Sequence, residues 1–184
     1  PKIAEKLAAR VEMVRELTGA DKVHIVGHSL GGIVARWYVQ EEGGDQTVNT
    51  AITLASPHSG TIAAFAGPGR TARELRPGSW VMRRLNDTAT PSDVRWVAFY
   101  GDSDALIQPS RSGRIEAPAL NARNMLIPGI GHLGMLMSGD VVNQIIDELL
   151  NPPAAATSLP MFARWTKNAR VGAPARAARR AAAS

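Results

Sequence analysis

The chain has 184 residues, 45% of them hydrophobic and 20% charged, a formal net charge of +5 and no cysteine. That composition suits one globular domain with a core, and it excludes a wholly disordered chain, a disulfide scaffold and any site built on a thiolate. The positive charge does not mark a nucleic-acid partner: residues 151–184 carry six basic residues and no acid, which leaves 15 basic against 16 acidic residues in the first 150.

Ile3, Leu7, Val11, Val14 and Leu17 recur at helical spacing, and Thr18-Gly19 ends that helix. Val23-His24-Ile25-Val26 reads as a buried strand. Gly27-His28-Ser29-Leu30-Gly31-Gly32 is a tight turn, and the helix over 33–41 behind it stops at Gly43-Gly44. A second strand covers 50–54 and ends in the turn Ala55–Gly60. Residues 61–92 form an irregular, cap-like insert, broken at Gly67-Pro68-Gly69 and Pro77-Gly78, with a short helix over 79–85. A third strand over 94–100 leads into a loop with two acids, Asp102 and Asp104. A fourth strand over 124–127 precedes a glycine-rich loop with His132, and an amphipathic helix covers 140–150. Pro152-Pro153 closes the domain, taken as 1–152, and the Ala/Arg/Pro-rich basic tail 153–184 reads as disordered toward its end. This order predicts an α/β fold with a mainly parallel sheet, and strands that are continuous apolar runs predict cover on both faces. No apolar run nears the roughly 18 residues of a membrane span, and no signal peptide is evident.

Gly27-His28-Ser29-Leu30-Gly31 fits G-x-S-x-G between a strand and a helix. Such a turn pushes a serine hydroxyl out of the sheet on a strained backbone, and Gly27 and Gly31 are expected where strand and helix crowd together. The Leu30 amide, at the positive end of the helix dipole, can donate to an oxyanion. A serine nucleophile needs a base, and the base needs an orienting acid. His132, on a flexible loop after the last strand, can reach over the sheet edge to Ser29. His58, in the turn after the second strand, is the weaker candidate; His24 sits within a strand, and His28 is badly placed to take its neighbour's proton. Asp104 precedes the apolar Ala105-Leu106-Ile107 and is preferred as the acid, while Asp102 is expected to cap the turn.

Four stretches carry a family resemblance. VHIVGHSLGGIVARWYV (23–39), LASPHSGT (54–61), DALIQP (104–109) and PGIGHLGML (128–136) are similar, in this order, to the nucleophile region, the following turn, the acid loop and the histidine loop of bacterial lipases of the α/β-hydrolase superfamily. The resemblance implies the C-terminal part of an α/β-hydrolase fold. It implies hydrolysis of carboxylic esters, acylglycerols or other apolar esters, by a Ser29-Asp104-His132 triad with no metal and no organic cofactor. Its partners would be a small ester or lipid and, transiently, a lipid surface, in a secreted or cell-envelope setting. The apolar residues Phe65, Leu75, Trp80, Val81, Met82 and Leu85, with Leu133, Met135, Leu136 and Met137, are expected either to line an acyl pocket or to pack as core. One departure stands out. The family places a further strand beside the elbow strand, and the loop after it supplies a second oxyanion donor, whereas here a helix precedes Val23. The expectation is the C-terminal part of a longer hydrolase, with an open edge at Val23–Val26 that favours association and lowers activity. The rival reading is a non-catalytic binding protein of the same fold.

Overall fold

The computed structural model describes residues 2–151. Strands β1 (Val23–His28), β2 (Val48–Leu54), β3 (Arg95–Gly101) and β4 (Arg123–Ile127) form one sheet in the order 1-2-3-4, every neighbouring pair parallel. Parallel neighbours need crossovers; α-helices lie in those after β1 and β2, and short 3₁₀ turns, Ser110–Gly113 and Pro118–Leu120, in the one between β3 and β4. Helix α1 (Lys2–Thr18) leads into β1, and α2 (Leu30–Glu41) joins β1 to β2. The insert holds α3 (Gly69–Glu74) and α4 (Trp80–Asp87); α5 (Gly134–Met137) and α6 (Gly139–Leu150) follow β4.

Side chains alternate across a strand, and at β2 and β3 both faces are covered, whereas β1, expected as a buried strand, exposes His24 and Val26 on one face. Trp96 and Ala98 of β3 point into a core shared with Val11 of α1, Ile33 and Tyr38 of α2, and Val81, Met82 and Leu85 of α4. Val97 and Phe99 point the other way, to Met135 of α5 and Val141 of α6. The central strands β2 and β3 are accordingly buried almost throughout, and outside their first residues their sequences are apolar but for threonine and tyrosine, with Asn49 as the exposed exception in β2. On α6 the buried Glu148 accepts hydrogen bonds from Arg95 and Arg123 at the starts of β3 and β4, so its charge is paired twice.

The expected elements are present, with displaced boundaries. Strand β2 starts at Val48, two residues early, and α2 starts at Leu30, so the paired glycines lie in its first turn. The glycine and proline of 67–69 do not keep the segment irregular: Pro68 stands at the N-cap of α3. Ser79 caps α4 by accepting from the Met82 amide at 3.2 Å. Of the residues with two expected fates, Val81, Met82, Leu85 and Met135 are core, and Trp80 packs edge-on against Trp37. Phe65, Leu133, Leu136 and Met137 are exposed. Among the described residues β1 has no strand on its outer side, and Val26 there is 46% exposed. The basic tail 153–184 lies outside the described residues.

Candidate active site

All the expected site residues sit at the ends of β1, β3 and β4, where a parallel sheet presents its C-terminal edge. Ser29 follows β1 directly, with φ 54° and ψ −122°. No β-carbon residue adopts that backbone without strain, about 1–3 kcal/mol. It is fixed from both sides: the Ser29 amide donates to Leu54 at 2.8 Å, and the Ser29 carbonyl accepts from Gly32. Ser29 stands at the N-cap of α2, yet its hydroxyl makes no capping bond and is left for another partner. Leu30, the first residue of α2, has an amide with no acceptor inside the helix.

The glycines of the turn divide differently from the expectation. A Cβ on Gly27 would lie 2.7–2.8 Å from the backbone of Gly31 and Gly32. One on Gly31 would meet nothing within 4 Å. The second crowded position is Gly32, where a Cβ would overlap the Ser56 side chain. The close passage runs from strand to helix backbone at Gly27, and from helix to the neighbouring strand's turn at Gly32.

His132 Nε2 lies 3.0 Å from Ser29 Oγ, and His132 Nδ1 lies 2.8 Å from Asp104 Oδ2. A carboxylate only accepts, so the ring proton sits on Nδ1 and donates to Asp104. Nε2 of the neutral ring is then the acceptor, and the Ser29 hydroxyl donates to it. The Asp104 side chain is 2% exposed, and its Oδ1 accepts from the Leu106 and Ile107 amides at 2.8 and 2.9 Å. Those three donors offset the cost of burying the charge.

Two further contacts hold the histidine loop. Asp102 Oδ1 accepts from the Gly129 amide at 2.7 Å, so this acid ties the loop rather than capping its own turn. His28 Nε2 lies 3.1 Å from the His132 carbonyl, with the two rings 4.7 Å apart; a carbonyl accepts, so His28 carries its proton on Nε2. The loop also crosses Gly101 so closely that a Cβ there would overlap the Ile130 carbonyl.

His58 is completely buried and does not approach Ser29: its Nε2 bonds Thr53 Oγ1 at 2.9 Å, and its Nδ1 is 3.5 Å from the Arg36 guanidinium. Burial, and then the Arg36 charge, hold its pKa well below the usual histidine range, so the ring is neutral. Arg36 is buried too, and burial lowers its pKa to about 9. Its partners are neutral: Gln40, Asn86 and the carbonyls of His58 and Leu85. Sequence reading passed over Arg36, because a single arginine on an amphipathic helix ordinarily faces water. His24 is exposed on β1 and joins no part of the site.

An apolar cavity of about 50 Å³ lies between α1, α2 and α3, lined by Ile3, Leu30, Ile33, Val34, Trp37 and Leu75 among others. Among the described residues no group of three or more His, Asp or Glu side chains is placed to hold a metal ion.

The model of the PGAP1-like alpha/beta domain matches residues 7–112, more than half of the chain. The chain belongs to this family. The match to the PGAP1-like domain carries Ser29 and Asp104, while His132 lies beyond it. The chain is 24% identical over 130 residues to the GPI inositol-deacylase of Candida albicans, a span that is 68% of this chain and 28% of that protein. It is 39% identical over 57 residues to the triacylglycerol lipase of Pseudarthrobacter phenanthrenivorans, 31% of this chain and 17% of that one. The chain thus spans under a third of the length of these curated relatives. Among solved structures it resembles mature Bacillus licheniformis lipase BlEst2 with a TM-score of 0.63 at 17% identity, covering 79% of this chain and 72% of that chain. Aspergillus fumigatus lipase B gives 0.61 at 15% identity, over 72% and 37%. At such identities the likeness speaks for the fold, which is that of the α/β-hydrolases.

Proposed function

We propose that this PGAP1-like domain hydrolyses carboxylic esters with Ser29 as nucleophile, His132 as general base and then general acid, and Asp104 as the group that orients the imidazole. The observation that carries the reading is the continuous hydrogen-bonded line Asp104–His132–Ser29, ending on a strained serine at a helix N-terminus. Ser29 Oγ attacks the ester carbonyl as His132 Nε2 takes its proton. The carbonyl oxygen gains charge beside the Leu30 amide, where the helix dipole favours it. Collapse breaks the bond to the alcohol, which leaves with the proton from His132. Water, deprotonated by the same nitrogen, then cleaves the acyl-serine and restores the site.

The substrate class is an apolar ester, acylglycerols included. Supporting it are the exposed Leu106, Leu133, Leu136 and Met137 beside the acid and the base. The same exposed residues suit transient contact with a lipid surface, and we extend the proposal to the secreted or cell-envelope setting that the lipase resemblance implies. The open outer edge of β1 favours one rival, a non-catalytic scaffold, since the second oxyanion donor of related folds follows the strand on that side. Hydrolysis of p-nitrophenyl butyrate and palmitate by the chain and by Ser29→Ala separates the two. Turnover abolished by the substitution supports the hydrolase; turnover that survives in Ser29→Ala, or none in either protein, refutes it for this chain.

A further inference from the structure

Thr61 lies between the insert and the acid loop. Its hydroxyl donates to the Leu106 carbonyl at 2.6 Å and accepts from the Gln108 amide at 3.1 Å and the Ala63 amide at 3.4 Å. A hydroxyl has one proton to give and two lone pairs, so its capacity is used in full. The neighbouring Ile62 amide donates to the Gln108 carbonyl at 3.0 Å, and the Thr61 amide donates to Leu75 at the end of α3. The acid loop is therefore pinned twice over the same few residues. From inside, Asp104 Oδ1 holds the Leu106 and Ile107 amides, and Gln108 Nε2 returns to the Asp104 carbonyl. From outside, Thr61 and Ile62 hold Leu106 and Gln108. Thr61 is 6% exposed, so water does not readily replace it.

We propose that Thr61 is a positioning residue: by clamping Leu106 and Gln108 it fixes where the Asp104 carboxylate meets His132, and it couples the position of the insert to the base. The inference rests on the hydrolase reading above. Loss of the hydroxyl frees both loop groups, the backbone that carries Asp104 relaxes, and the Nδ1–H···Oδ2 bond lengthens. The acid would then orient the imidazole less well while substrate contacts stay as they are.

Thr61→Val keeps the shape and removes all three hydroxyl bonds, and Thr61→Ser keeps the hydroxyl. Two readouts apply to the full chain: kcat and KM on p-nitrophenyl butyrate per serine titrated with a fluorophosphonate, and the downfield proton resonance of the His132 Nδ1–H, which needs no turnover. The expected result for Thr61→Val is a kcat lower by about 10- to 100-fold, KM within about twofold, and a shifted resonance. Thr61→Ser is expected to restore both. Ile62→Pro is the second variant, for the case in which Thr61→Val does not fold. Ile62 is exposed at the first position of a short 3₁₀ turn, and Thr61 before it is extended, φ −140° and ψ 143°, so the backbone admits proline; its Cδ takes the place of the amide proton, breaks the bond to the Gln108 carbonyl and pushes that carbonyl away. A change in the same direction supports the proposal. A folded Thr61→Val or Ile62→Pro protein with an unmoved resonance overturns it. An inactive parent chain whose resonance still moves in these variants would refute the hydrolase reading and leave the positioning role standing.

Discussion

Asp104→Asn tests the site more sharply than removal of the acid, because the structure dictates which way the amide must face. Asp104 Oδ1 accepts from two backbone amides, Leu106 and Ile107, and Oδ2 accepts from His132 Nδ1. In the asparagine variant the amide oxygen keeps the two backbone donors, since the NH₂ group in that place would set donors against donors. The NH₂ then faces Nδ1, which can only accept, so the ring proton moves to Nε2. An Nε2–H cannot take the Ser29 proton across the 3.0 Å contact. A wrong tautomer of this kind costs about 10⁴ in kcat, near 5.4 kcal/mol of barrier. KM should hardly move, and the fold should persist, because a neutral amide of nearly the same size and shape takes the place of the carboxylate and keeps its two backbone donors. Asp102→Asn is the matched comparison. Its oxygen can still accept from Gly129, and a change under about threefold is expected. Ester hydrolysis normalised to titrated serine, with thermal melts of both variants, reads the outcome. If Asp104→Asn keeps a tenth or more of the parent rate, or if Asp102→Asn is the more damaging, the assigned relay is wrong.

Other substitutions probe the frame around the site. Gly27→Ala pushes a Cβ into the Gly31–Gly32 backbone and is expected to cost about 2–4 kcal/mol in denaturant unfolding, whereas Gly31→Ala, with open space and a helical position, should be neutral or stabilising by up to about 1 kcal/mol. His58 gives a pH signature. Its folded pKa is depressed, so below about 6.5 the unfolded chain takes up a proton that the folded one does not. Stability should therefore fall as pH drops from 6.5 toward that depressed value, by up to about 1.4 kcal/mol per unit, and His58→Gln should flatten the slope between pH 7.5 and 5.5. Val26→Lys places a charge on the open edge of β1; sedimentation velocity should show less self-association than in the parent, and identical profiles would argue against that edge as the contact.

The parts of the fold and site that could be read from the chain are those set by neighbours in sequence. Ser29, Asp104 and His132 each follow a strand end, so finding the strands located the loops, and the apolar residues after Asp104 separated it from Asp102. What escaped depends on neighbours far along the chain. Gly31 and Gly32 look alike in sequence, and only the approach of Ser56 from the next strand's turn tells which one is crowded. Thr61 reads only as the last residue of the 54–61 turn motif, and the acid loop that it holds comes more than forty residues later. Arg36 and His58 meet inside the core, directly and through Asn86, a pairing no spacing rule anticipates. Helix α3 was hidden because Gly67-Pro68-Gly69 reads equally well as a breaker and as a helix start.

The histidine loop is tied at successive backbone points: the Gly129 amide to Asp102, the Ile130 carbonyl against Gly101, and the His132 carbonyl to His28. One residue inserted between 129 and 132 would advance the chain by about 3.8 Å and break that registration together with the contact to Ser29. Immediately afterwards the constraint lifts, for Leu133, Leu136 and Met137 face outward. Loop length before the imidazole is thus locked, while after it side-chain identity is free at 133, 136 and 137 and held only at the core residue Met135. On the proposed hydrolase reading, a lineage built on this frame drifts in the ester it accepts without re-solving how it cuts.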